Sequence, residues 1–219
     1  MKKIYDLWWK EGGLAEGHDF KWKWPKIKNV LPSKNSTILD FGCGEGRYIE
    51  EFLKVNPYKI VGIDISSYAI NKAKKRFPKA KFYALSGDEK IPIKNESVDF
   101  ILAADVIEHI FDVSNYLLEM NRCLKKGGKI FISTPYHGTI KNLVIALIGF
   151  EIVYNPYSQH IRFFTKKSLS TLLLSHGFSI LSYGEYGRFK PLSRGMYFVA
   201  EKVKKAKYDK SIYRDMLPR

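Results

Sequence analysis

TILDFGCGEGRYI, residues 37–49, is the stretch on which the reading of the whole chain turns. Ile38 and Leu39 run into an acid, Asp40. Gly42, Gly44 and Gly46 then fall on alternate positions, and a helix-like segment begins near Arg47. That order reads as a buried strand ending in a tight loop free of side chains. Glycines there permit turns closed to other residues and let a ligand lie directly against the backbone. The first amides of the following helix lack intrahelical partners and are available to it. A nucleotide-like ligand is the expected occupant.

A dinucleotide-binding turn would read G-x-G-x-x-G, with its third glycine where Arg47 stands, and would seat a pyrophosphate on the helix start. Here the spacing is G-x-G-x-G, and Asp40 precedes it. A carboxylate beside the loop repels a pyrophosphate but suits a ligand carrying a cationic amino group and a sulfonium. DFGCGEG, residues 40–46, therefore resembles the first motif of the class I S-adenosylmethionine (SAM) dependent methyltransferases. On that resemblance Asp40, Gly42, Cys43, Gly44 and Gly46 are cofactor-binding candidates. A glycine turn alone also fits another Rossmann-type protein or a plain tight turn, so the neighbouring segments decide.

A chain of 219 residues with 45% hydrophobic content suits one well-buried domain, with room for a small appendage. The apolar run from Leu143 to Phe150 is far below the ~20 residues of a membrane helix. At the amino terminus Lys2 and Lys3 are followed by Asp6, two tryptophans and Glu11, which is not a signal-peptide core. A cytoplasmic protein is expected. Cys43 and Cys123 suggest neither a disulfide framework nor a zinc cluster. The net charge of +15 admits an anionic partner such as RNA, phosphorylated metabolites or a membrane surface. The lysines are nevertheless spread along the chain, as a lysine-rich proteome would leave them.

Residues 1–30 read as an amino-terminal cap of one or two short helices across the mouth of the main domain, 31–203. Its aromatic residues mainly tether it, while Tyr5, Trp9 and His18 are candidates for ligand contact. Tyr48 to Val55 is an expected helix, and Lys59 to Ile63 a second strand closed by Asp64. An acid at a second strand end, about 20 residues past the glycines, can accept both hydroxyls of an adenosine ribose. Asp64 takes that role here, with Ile65 beside it. Ser66 caps a helix from Tyr68 to Phe77. Lys81 to Leu85 is a third strand, followed by SGDEKIPI, residues 86–93. By resemblance, Asp88 or Glu89 meets the adenine amine; this chain is one residue shorter than the familiar pattern, and the choice between the two stays open.

VDFILA, residues 98–103, is the near-continuous apolar run of a central parallel strand. It continues into ADVIEHI, residues 104–110, which resembles the fourth-strand motif of the small-molecule branch that includes the ubiquinone-biosynthesis O-methyltransferases. The resemblance implies that Ala104, Asp105 and Val106 line the sulfonium end of the cofactor. Glu108 and His109 are read as helix-start and packing residues. Asp112 caps a helix whose apolar stripe is Val113, Tyr116, Leu117, Met120 and Leu124, ended by Gly127 and Gly128. Lys129 to Ser133 is the fifth strand. The resemblance spans Thr37 to Pro135 in five ordered pieces. It implies an α/β, Rossmann-like, seven-stranded and mostly parallel sheet of order 3-2-1-4-5-7-6, with helices on both faces.

Beyond Tyr136 an insertion, 136–164, is expected to set specificity: a helix from His137 to Phe150, then an aromatic irregular segment. HIRFFT, residues 160–165, resembles a segment of the same branch in which the histidine and arginine approach the active site. Thr165 caps a helix that stops at Gly177. Phe178 to Tyr183 and Met196 to Glu201 form the closing antiparallel pair, and a basic tail, 204–219, is expected to fray. Methyl transfer from a sulfonium needs mainly positioning. His160 is the first candidate for a general base, with His137 behind it, and the spacing shows no metal-ligand set. These readings give a SAM-dependent methyltransferase acting on a small-molecule or lipid-linked acceptor, more readily at oxygen, as a monomer or homodimer. The alternatives are an RNA methyltransferase, favoured by the charge but lacking an N-P-P-Y or D-P-P-Y motif after the fourth strand, and a non-catalytic partner subunit keeping the fold.

Overall fold

The computed structural model describes residues 2–12 and 19–207; His18 and the tail from 208 lie outside them. Short apolar runs bounded by turns build the sheet: β1 Thr37–Phe41, β2 Lys59–Asp64, β3 Lys81–Ala84, β4 Val98–Ala104, β5 Leu124–Pro135, β6 Phe178–Tyr186 and β7 Gly195–Lys202. Their order is β3-β2-β1-β4-β5-β7-β6. The first five strands pair in parallel, and β7 runs antiparallel to β5 and β6. The mostly parallel Rossmann-like order expected from the motifs is the order observed.

Parallel strands covered on both faces are apolar along their length, and the two faces here are two cores. Ile38, Phe100, Leu102 and Phe131 point to the side packed by α2 (Phe20–Lys28), α3 (Arg47–Leu53) and α4 (Ser67–Arg76), through Ile27, Ile49, Phe52 and Ile70. Leu39, Ile101, Ala103, Ile130 and Ile132 point to the other, packed by α5 (Val113–Cys123) and α8 (Lys166–Ser175) through Tyr116, Leu117, Met120 and Leu173. Each large side chain so buried contributes about 1.5–3 kcal/mol. Ser66, Asp112 and Thr165 each accept an N-terminal helix amide, on α4, α5 and α8 respectively. Gly177 ends α8 at φ +79°, where an added Cβ would meet the Lys204 carbonyl at 2.5 Å.

Three sequence expectations need correction. Gly127 and Gly128 do not end α5. The helix stops at Cys123, and both glycines lie inside β5, where the register with β4 shifts between Val98 and Phe100. The helix expected over residues 137–150 is two, α6 Thr139–Ile148 and α7 Phe150–Val153, hinged at Gly149. Residues 203–206 do not fray, because Val203 and Lys204 amides donate to the Gly177 carbonyl and Asn121 bonds both the Lys204 carbonyl and the Ala206 amide.

The helices α6 and α7 expose a run of large apolar side chains: Ile140, Leu143, Leu147, Ile148, Phe150 and Ile152. No helix among the described residues is long and apolar enough to cross a membrane.

Candidate active site

Parallel α/β sheets offer a crevice beyond the carboxyl ends of their strands, and here acids converge on it. Asp40 is the last residue but one of β1, Asp64 closes β2, and Asp105 and Glu108 follow β4. Gly42, Gly44 and Gly46 all hold positive φ, at 80°, 51° and 96°. Their amides are occupied within the protein: Gly42 and Cys43 donate to the Ile63 carbonyl, Gly46 to the Cys43 carbonyl, and Gly44 to Asp64 Oδ2 at 2.9 Å. The loop amides are thus not free, and the glycines make room for neighbouring side chains, Val106 at Gly42, Trp9 at Gly44 and Phe77 at Gly46. Cys43 turns its thiol inward, against the place a Gly62 side chain would fill, and its pKa is pushed up by burial and by Asp40 and Asp64.

Asp40 is 1% exposed, and its Oδ2 has no hydrogen-bond partner among the described residues. Burial, with Asp64 nearby, raises its pKa to about 8. An orphaned buried carboxyl oxygen at the rim of a glycine loop calls for a cationic or donor group, which an amino-acid ammonium would provide. Asp64 is also raised by burial, against amide bonds from Ser66, Gly44 and Ile65 that favour its ionised form. Half-buried Ile65 follows it. Asp88 and Glu89 are exposed: Asp88 Oδ1 accepts the Asp112 amide at 2.8 Å, tying the loop to the start of α5, and Glu89 Oε1 accepts the Ser86 amide of its own loop at 2.8 Å.

The amino-terminal helix α1 (Lys2–Lys10) lies over this crevice. Asp6 Oδ1 accepts from Ser66 Oγ at 2.6 Å and from the Tyr68 amide at 2.9 Å, which pins α1 to the start of α4. Trp9 covers the loop, its ring 2.5 Å from where a Gly44 Cβ would stand. Tyr5 sets its ring edge-on to His109, centroids 6.1 Å apart, and burial with Asp64 and Glu108 pushes its phenol up to about 12. Thus Tyr5 and Trp9, two of the cap candidates, do reach the crevice.

On the β4 side, Val106 packs against Gly42, where an added Cβ would meet its Cγ2 at 2.4 Å. Ala104 and Asp105 are half-buried beside it. Asp105 has φ +56°, a left-handed conformation uncommon outside glycine. Its Oδ1 accepts from Ser133 Oγ at 2.8 Å and Tyr186 Oη at 3.3 Å, and its Oδ2 pairs with the Lys23 ammonium. Burial raises the Asp105 carboxyl, but the Lys23 charge and these hydrogen bonds outweigh it and leave the group below the usual range.

Folding also assembles a cluster that spacing did not show. A short 3-10 turn at Ile107–His109 presents Glu108 and His109, and the returning insertion docks on it. The Ile161 and Arg162 amides both donate to the Glu108 carbonyl, and His109 Nδ1 bonds the Gln159 carbonyl at 2.8 Å. His160 is thereby held against His109, ring centroids 4.9 Å apart. One side-chain donor atom from each of Glu108, His109 and His160 lies within 4.8 Å of the others, a set able to hold a divalent cation. The spacing in the sequence shows no such set, because Glu108 and His160 are far apart in the chain and meet only through the fold.

Burial and neighbouring His109 lower the His160 pKa to about 4, so its imidazole is neutral near pH 7. His137 stands apart, bonded through Nδ1 to Asn142 Oδ1 at 3.0 Å and edge-on to Phe163. Arg162 does not enter the crevice; its guanidinium binds the Ile110 and Phe111 carbonyls. Among the residues sequence reasoning passed over, Lys23 left a readable signal. It occupies the i+3 place in the stripe Phe20, Lys23, Trp24, Ile27, and a charge on a core-facing stripe requires a partner.

A profile described as a methyltransferase domain matches residues 19–183. The chain is 34% identical over 170 residues to a ubiquinone biosynthesis O-methyltransferase of Pelagibacter ubique, covering 70% of this chain and 69% of that one. It is 33% identical over 113 residues to a malonyl-[acyl-carrier protein] O-methyltransferase of Hamiltonella defensa, covering 52% of this chain and 43%, less than half, of that relative. The fold matches that of a SAM-dependent methyltransferase from Methanosarcina mazei with a TM-score of 0.65 at 22% identity, over 82% of this chain and 97% of the other.

Proposed function

The chain belongs to the SAM-dependent methyltransferases, and from that premise we propose that it methylates an oxygen of an apolar small-molecule or lipid-linked acceptor. The observation that carries the donor side of this reading is the buried, unpartnered oxygen of Asp40 beside the three glycines. When bound, SAM supplies a methyl group on a sulfonium whose departure leaves a neutral thioether. In this reading Asp40 meets the amino group of its methionine part and Asp64 the ribose hydroxyls. Asp88 or Glu89 faces the adenine amine, Gly42, Cys43, Gly44 and Gly46 give close approach, Ile65 flanks the ribose, and Ala104, Asp105 and Val106 line the sulfur end.

With so good a leaving group, holding the reactants in line is the main task, worth up to about 7–11 kcal/mol of the barrier. The cap residues Tyr5 and Trp9 exclude water from above. His160, uncharged near pH 7, accepts a hydrogen bond from the acceptor hydroxyl and takes its proton as the new carbon–oxygen bond forms. An apolar acceptor agrees with the exposed side chains of α6 and α7 and with the aromatic cluster of His137, Tyr154 and Phe163 behind His160. Two relatives, those of Pelagibacter ubique and Hamiltonella defensa, are O-methyltransferases by name, which favours oxygen over nitrogen or carbon.

The test is transfer of labelled methyl from SAM into separated lipid, small-solute and RNA fractions of a cell extract. Label in the lipid or small-solute fraction, lost in His160→Ala by about a hundredfold or more, is the expected result. Label confined to RNA would replace the acceptor reading with the alternative that the net charge of +15 favours. No label in any fraction, with SAM still bound, would point to a non-catalytic subunit.

A further inference from the structure

Lys23 is an ammonium on the buried face of α2, its side chain only 5% exposed. Burying such a charge costs several kcal/mol unless it is well paired. Its partner is not a surface acid but Asp105, at the lip of the crevice. Asp105 is fixed from three other directions: its backbone amide donates to the Ser133 carbonyl, and its Oδ1 accepts from Ser133 Oγ and Tyr186 Oη. The same ammonium lies 5.6 Å above the Tyr186 ring. The Asp105 side chain is still 29% exposed. A carboxylate thus faces the crevice with a fixed cation directly behind it.

Among the described residues, Asp40 and Asp64 at the same crevice have no ion-pair partner of their own. Methyl transfer discharges the sulfur, so an uncompensated carboxylate at Asp105, the acid at the sulfur end, would stabilise the charged reactant more than the transition state and slow the step. We propose that Lys23, acting through Asp105, is a positioning residue that offsets this attraction, keeping cationic SAM and its neutral product S-adenosylhomocysteine at comparable affinity. The inference rests on the donor orientation given above, with the sulfur end at Ala104–Val106. A residue that only tethered the cap would change both affinities together.

The test is calorimetric titration of SAM and of S-adenosylhomocysteine into wild type, Lys23→Met, Lys23→Arg and Asp105→Asn, each also followed by thermal melting. In Lys23→Met the preference for SAM over its product should rise about fivefold or more, as expected for one uncompensated charge in a site of intermediate dielectric. Lys23→Arg keeps the charge and should stay within about twofold of wild type, while Asp105→Asn should shift the preference toward the product. An unchanged preference in a cooperatively melting Lys23→Met overturns the inference and leaves Lys23 as a tether. Should Lys23→Met fail to fold, Asp105→Asn decides: a shift toward the product supports the inference, no shift overturns it. Wild type binding neither ligand overturns the donor reading itself, and this inference with it.

Discussion

Asp40 sits where burial and function pull in opposite directions. Its folded-state pKa of about 8 lies above the ~3.9 of an unfolded aspartate, so the folded protein keeps a proton that the unfolded chain has released. The site's contribution to stability is therefore complete below about pH 4 and lost as pH rises through about 8. Without ligand, the melting temperature should fall between about pH 5 and about pH 8, and fall less steeply in Asp40→Asn. Equal slopes in thermal melts of the two proteins would assign the loss to other groups. An ammonium bound there, as the proposed donor would supply, reverses the balance by favouring the ionised acid. Asp40 and Asp64 were legible from the chain because each lies at or next to the end of a strand beside a recognisable turn. The Asp105–Lys23 pair and the Glu108–His109–His160 cluster were not, because their members lie far apart in sequence and only the fold brings them together.

Among the elements, the helices show which local signals are sufficient. Thr165 and Ser168 form a reciprocal capping box at the start of α8, and the sequence marks that start with a threonine before an apolar helix. Thr165→Ala should lower stability by about 1 kcal/mol in urea unfolding and leave SAM affinity unchanged; a parallel loss of affinity would tie α8 to the site. The close of α5 was misread because two glycines normally mark a helix end. Here Gly128 instead fits a crowded turn inside β5, where a Cβ would lie 2.9 Å from the Lys125 carbonyl. The apolar pattern of α2 announced a buried face, but not that its lysine would find its counter-charge in Asp105 after β4.

For the molecule as a whole, the central place of β4 was legible from its unbroken apolar run, since central parallel strands are apolar on both faces, whereas the strand order came from the resemblance of the motifs and not from the pattern of apolar runs. The same burial sets the order of opening. Amide exchange should be slowest in Ile38–Phe41, Phe100–Ala103 and Ile130–Ile132, buried in the two cores, and fastest in α6 and α7, whose apolar side chains are largely exposed. Mass-resolved exchange showing α6 and α7 as protected as β4 would contradict that picture. The insertion was legible as apolar and aromatic, but its break at Gly149 and its docking on Glu108 depend on contacts made only in the folded chain.

The donor site is tested most directly by calorimetric titration of SAM into wild type and Asp64→Asn. One binding event per chain is expected, weakened about tenfold or more in Asp64→Asn while that variant still melts cooperatively. Absence of heat with SAM, or saturable heat with a nicotinamide dinucleotide in its place, would contradict the assignment of the crevice.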